Sequence, residues 1–162
     1  MPTRPLSVTA LPPSDTFDRW AEVHALLLEA FAFMERRIDP PSSLTQMGPE
    51  ALAEKAASAT VLIAEDEGRI VACAFLADEP PALSLSKVAV ALSHRGRGLS
   101  RVLIDRAVQD AKMRGLDRLR LQSRVELTET HAAFAALGFA ETGRTAHPGY
   151  TRPTSITMER HL

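Results

Sequence analysis

Residues Val88 to Ser100, VAVALSHRGRGLS, constrain this chain more than any other stretch, because two glycines fall where an apolar strand run must turn into a helix. Gly96 and Gly98 take side chains out of the turn. Successive backbone N–H groups can then approach an anion, and the N-terminus of the following helix adds partial positive charge. A pyrophosphate suits such a cradle. Arg95, Arg97 and Arg101 flank it and offer charge-assisted contacts, each worth only about 0.3–1 kcal/mol at an exposed helix end, so several must act together. A tight turn with solvated arginines is the alternative reading of the same residues. Two other phosphate signatures are excluded, since a Walker loop needs Gly-Lys-Ser/Thr and the dinucleotide fingerprint needs a third Gly or Ala where Arg101 stands.

The flanking segments set this turn in an α/β context. Residues 5 to 10 predict a first strand, and Ser14 and Asp15 are helix caps ahead of Trp20, Val23, Leu27, Ala30 and Met34, which recur every three or four residues as one buried helix face. An irregular stretch, RRIDPPSSLTQMGPE, leads to a short Ala-rich helix near 49 to 57. TVLIAEDEGRIVACAFLA reads as a hairpin turning at Asp66 to Gly68, and LSLSKVAVAL as the strand that feeds the glycine turn. The next helix ends at Arg114-Gly115. DRLRLQSR alternates like a half-buried strand, a helix spans Ala132 to Leu137 before Gly138, and SITMER is a last strand. The sum is α/β, a mostly antiparallel sheet with one strand–helix–strand crossover.

Composition narrows the partners. A chain of 162 residues predicts one core and a single domain over 1–162. The net charge of -1 provides no broad basic field, which argues against nucleic acid. No apolar run approaches the roughly 20 residues that span a bilayer, and the first residues lack a signal-peptide core, so the expectation is a cytoplasmic protein with no membrane partner. The single Cys73 sits in the apolar run IVACAFLA and reads as a buried structural thiol. Five histidines without metal-ligand spacing predict no metal.

With the elements in this order, the glycine turn resembles motif A of the GNAT N-acetyltransferase superfamily, R/Q-x-x-G-x-G/A after a V-A-V-type strand. Arg95, Gly98 and Ser100 take its three positions, Ser100 being small but neither Gly nor Ala. AFAALGF, ending in Gly138-Phe139, resembles the second motif, Y-x-x-x-G-F. The resemblance implies a GNAT-like sheet of about six to seven strands flanked by helices, with a V-shaped split between Val88–Val90 and residues 118 to 124. It implies acetyl-CoA as cosubstrate. The main chain of Val88, Ala89 and Val90 would pair with the pantetheine arm, and the turn Arg95, Gly96, Arg97, Gly98, Leu99, Ser100, Arg101 would hold the pyrophosphate. An N–H near Val90 would polarise the thioester carbonyl, with Phe134 beside the donor.

Phe134 also marks a departure, because the family commonly has Tyr there as the acid for the leaving thiolate. Ser84 and Ser86 stand where many members carry an acidic base. Deprotonating a lysine-like amine of pKa about 10.4 costs roughly 4.6 kcal/mol at pH 7, but an α-amine near 8 needs only about 1. Positioning could therefore suffice for an α-amine, by direct attack with no acyl-enzyme. Tyr150 and His147, in the loop AHPGYTRPTS, and His131, one helical turn before Phe134, are the candidate acid–base groups. For the acceptor, Arg36 and Arg37 suit a carboxylate and Glu35 or Asp39 an ammonium, with Tyr150 at the border; a solvated helix end is the other reading. The expected reaction is acetyl transfer to a primary amine of a small molecule, amino-acid-like in one reading. A peptide N-terminus, or a non-catalytic acyl-CoA-binding module, are the rivals, and a homodimer stays open beside a monomer.

Overall fold

The computed structural model describes residues 6–13 and 16–162. Seven strands form one sheet: β1 Ser7–Leu11, β2 Thr60–Asp66, β3 Arg69–Glu79, β4 Ala82–Val90, β5 Arg118–Arg124, β6 Ala140–Thr145 and β7 Ser155–His161. Four helices accompany them: α1 Trp20–Phe31, α2 Pro49–Ala56, α3 Leu99–Met113 and α4 Thr128–Ala136. The strand order is β1-β2-β3-β4-β5-β7-β6. Every pairing is antiparallel except β4 with β5, which α3 joins as the crossover.

Consecutive residues Val61 to Ala64 of β2 and Ile70 to Leu76 of β3 are all buried, so both faces of the sheet centre are covered. α1 packs on β3 and β4 and presents Val23, Leu26, Leu27 and Ala30; α3 packs on β3, β4 and β5 and presents Leu103, Ile104, Ala107 and Ala111. Those spacings are the three-and-four repeat of one helix face. At the other extreme, all of β6 is exposed at the sheet edge, where the Arg144–Glu141 pair puts charge on a strand with a free side.

Most element expectations hold within a residue or two. The first strand begins at Ser7, the early part of the expected range and both Ser14 and Asp15 lying outside the described residues. α1 starts at Trp20 with no capping side chain; the Arg19 guanidinium before it binds Glu22, Glu65 and the Gly68 carbonyl instead. It stops at Phe31, and Met34 falls in a following 3-10 turn rather than on the helix face. α4 starts at Thr128 rather than Ala132, because buried Leu127 leads into it and its carbonyl accepts the Thr130 and His131 amides. None of α4 is buried, so no apolar periodicity marked its first turn.

Cys73 lies in the middle of β3 with no exposure, and burial pushes its thiol up to about 12. Sγ donates to the Lys87 carbonyl at 3.5 Å. The thiol therefore stays protonated and unreactive around neutral pH. The expected outcome is that an aromatic disulfide reagent releases no colour from the native protein and one equivalent after denaturation; fast native release would contradict a structural cysteine.

Candidate active site

The parallel pairing of β4 with β5 covers only Ala82 to Leu85 against Arg118 to Leu121. Beyond it β4 stays on β3, through Ser86, Ala89 and Val90, while β5 stays on β7, through Gln122, Ser123 and Arg124. The sheet therefore opens. The Ala91 amide donates to the Val71 carbonyl at 2.8 Å, so by strand alternation Ala89 also faces β3 and the main chain of Val88 and Val90 faces the opening. A cleft of about 1000 Å³ occupies it.

At the end of β4 a 3-10 turn, Leu92–His94, leads into the glycine turn. Gly96 and Gly98 have φ of 77° and 76°, the left-handed region that L side chains rarely adopt, and no atom lies within 4 Å of where a Cβ would stand on either. α3 begins directly after Gly98 with no capping side chain, leaving its first amides for an outside acceptor. Leu99 is buried and seats the helix end, while exposed Ser100 and Arg101 line the cleft. Arg95 lines it too, its Nη2 donating to the Ala30 carbonyl at 3.2 Å, so it braces α1 against the turn. Arg97 is exposed and outside the lining.

The sequence did not single out His94, which holds this turn to the neighbouring hairpin. Its ring is buried, with Nε2 2.7 Å from Asp66 Oδ2 and Nδ1 2.7 Å from Ser93 Oγ. The neutral tautomer that satisfies both has Nε2–H donating to the carboxylate and Nδ1 accepting from the hydroxyl. Lys87 was missed as well. β4 carries an extra residue relative to β3 between Ser86 and Ala89, and Lys87 sits in that bulge with φ 51°. It is half-buried and lines the cleft; burial, then the nearby Lys55, lowers its pKa. A lone lysine inside an apolar strand run was the readable signal.

The expected acid–base and acceptor residues scatter. Of Tyr150, His131 and His147, only His147 lines the cleft, its amide donating to Thr154 Oγ1 at 2.9 Å and its Nδ1 in contact with the same hydroxyl. His131 is outside the lining; its Nε2 lies 2.8 Å from the Arg124 carbonyl, a bond that ties α4 to the end of β5. Tyr150 is outside the lining as well. Its hydroxyl donates to Asp39 Oδ1 at 2.6 Å, a bond that raises its pKa, and Arg152 stands 5.5 Å over its ring. Glu35, Arg36, Arg37 and Asp39 are exposed and outside the lining. Arg37 is taken by Glu129, whose carboxyl it holds at about 2, and Asp39 by Tyr150 and Arg152. Phe134 does line the cleft, edge-on to Phe139 at 5.6 Å.

Among the described residues no group of His, Cys, Asp and Glu is placed to hold a metal, and no helix is long and apolar enough to cross a membrane. Solved structures share this architecture from end to end. IAA acetyltransferase from Bacillus cereus ATCC 14579 superposes with a TM-score of 0.67 at 18% identity, over 98% of this chain and 100% of its own. The ribosomal-protein-S18-alanine N-acetyltransferase of Escherichia coli gives 0.66 at 20% identity, over 96% and 93%. A GNAT family acetyltransferase from Elizabethkingia anophelis with acetyl-CoA bound gives 0.66 at 16%, over 97% and 98%. No curated protein matches by sequence. The fold is thus that of the acetyltransferases. The Acetyltransferase (GNAT) family matches residues 20–139, and the chain belongs to that family of N-acetyltransferases.

With its hydroxyl spent on Asp39, Tyr150 is a strut between two loops. Tyr150→Phe should leave kcat within about twofold of the parent in a thiol-release assay; a fall of roughly 10² or more would restore it as an acid.

Proposed function

We propose that this chain, acting as one domain over 1–162, transfers the acetyl group of acetyl-CoA to a primary amine of a small molecule by direct attack. The observation that carries the reading is the opening between β4 and β5, which runs straight into an uncapped α3 N-terminus. In this reading the amides of Gly96 to Arg101 hold the pyrophosphate, helped by the Ser100 hydroxyl and the Arg101 guanidinium, and Arg97 contributes main chain only. The Val88 and Val90 main chain pairs with the pantetheine arm as an added strand, with Ala89 seating that segment in the core. Phe134 packs beside the sulfur. The cosubstrate supplies an activated acyl group; the chain binds it, orients it and keeps its own thiol protonated, so no acyl-enzyme forms.

His147 is the proton acceptor in this scheme, being the one expected acid–base group on the cleft wall. His147→Gln should lower kcat by roughly 10² to 10⁴ with CoA affinity kept. An unchanged kcat would remove His147 from the chemistry and leave positioning alone.

The donor half is tested separately. Gly98→Glu puts a side chain in a left-handed position and a carboxylate against phosphate; a like charge at 4 Å costs roughly 1–4 kcal/mol between water and a protein surface, so CoA affinity by calorimetry should drop about tenfold or more. Parental affinity in a folded Gly98→Glu protein would falsify the cradle. Thiol release in the presence of small amines, but not of peptides, separates a small-molecule acceptor from a peptide N-terminus.

A further inference from the structure

The cleft's charges are unequal in their commitments. Its cationic side chains are Lys87, Arg95, Arg101 and Arg124, and its one carboxylate is Glu129. Glu129 is neutralised by Arg37. Arg95 donates to the Ala30 carbonyl, and Arg124 to the Pro40 and Pro41 carbonyls at 2.7 and 3.2 Å. Arg101 stands at the α3 N-terminus, the phosphate end. Lys87 alone lies on the strand itself, at the point where β4 leaves β5, with its ammonium in no hydrogen bond or ion pair among the described residues. Three strand residues, roughly 10 Å at about 3.3 Å each, separate it from the glycine turn side of the cleft.

A half-buried ammonium without a counter-ion is costly, and the bulge holds it there on a residue at φ 51°. The charged neighbours do not relieve it: Lys55 of α2 repels it, and the Cys73 thiol of β3 is protonated. The cost of burying the ammonium falls when an anion enters the cleft. We infer that Lys87 anchors a carboxylate on the acceptor, making the substrate an amine that carries its carboxylate close to the nitrogen, of the α-amino-acid class. The inference rests on the acetyl-transfer reading above and adds its acceptor. Phe31, Phe33 and Met34 line the same cleft, which suits an apolar side chain on that amino acid.

Lys87 is here a specificity residue, not the base. The test uses the full chain with acetyl-CoA and three matched acceptors: L-phenylalanine, its carboxamide, and phenethylamine, which lacks the carboxylate. The parent should favour the amino acid over both by about tenfold or more in kcat/KM, the worth of one charge-assisted hydrogen bond. Lys87→Met, of like length, should raise KM for the amino acid by about tenfold and abolish the preference, with kcat, the pH profile and the KM for acetyl-CoA unchanged. Lys87→Arg should restore part of it.

Equal turnover of all three acceptors by the parent overturns the anchor while leaving acetyl transfer intact. So does a Lys87→Met protein that loses kcat equally on all three, which would mark a base or a structural residue, or acetylation of Lys87 itself in intact-mass spectra. If no amine releases thiol, the acetyl-transfer reading fails; the anchor is then decided by calorimetry of the CoA-loaded protein, where L-phenylalanine binding lost in Lys87→Met supports it and no binding to the parent overturns it.

Discussion

The pairing of β4 with β5 stops at Leu85 and Leu121, and the rest of the site depends on that stop. Two strands joined by a crossover helix would ordinarily zip along their full length, since each unpaired amide left in a sheet interior costs a hydrogen bond. Here the extra residue at Lys87 interrupts β4 just past the last pair, while β5 continues on β7 by its other edge, from Arg118 to Arg124. The main chain of β4 beyond Leu85 is left as an unpaired edge inside the molecule. In the proposed reading a ligand with alternating amides and carbonyls would offset the cost of leaving it unpaired.

The mouth of the opening is set by charges that the sequence would assign to the acceptor. Arg37 pairs with Glu129, the Asp39 amide donates to Glu126 Oε2 at 3.1 Å, Tyr150 and Arg152 meet the Asp39 carboxylate, and Arg124 reaches two proline carbonyls. These bonds lace the segment after α1 to α4, to the end of β5 and to the loop before β7. Exposed pairs of this kind contribute little each, so their value is geometric: together they hold the irregular segment over the cleft. With those groups engaged, Lys87 is the cleft's cation on β4 without a partner among the described residues.

Legibility followed the range of the forces involved. The glycine turn, the β2–β3 hairpin and α3 are specified by neighbours in sequence, through turn conformations and helix periodicity, and they were read to within a residue or two. Arg95 matched its motif position, yet its side chain braces α1 rather than pointing free, because the Ala30 carbonyl that captures it is remote in sequence. The Tyr150 hydroxyl is engaged for the same reason by a remote group, its Asp39 partner lying 111 positions away. His94 and Asp66 form a contact across two hairpins, which no local pattern announces. Lys87 did carry a local signal, a charge in an apolar strand, but the bulge that makes it informative appears only in the register.

Phe134 is consistent with this division of labour. A phenyl ring on the cleft wall, packed on Phe139, can shape the donor pocket but cannot deliver a proton. An acceptor whose amine must shed a proton at a cost of about 1 kcal/mol asks little of an acid or base, whereas one costing roughly 4.6 kcal/mol asks for both. The amine of a free α-amino acid lies between the two, because its own carboxylate favours the ammonium more than a peptide carbonyl does. It therefore still needs a proton acceptor, the part given to His147 in the proposed reaction, and the carboxylate that raises the cost is the same group that would answer the unpaired charge at Lys87. Phe134 and the serines at 84 and 86 bear on the proton, Lys87 on the acceptor's charge, so the acid–base groups and the anchor are set independently.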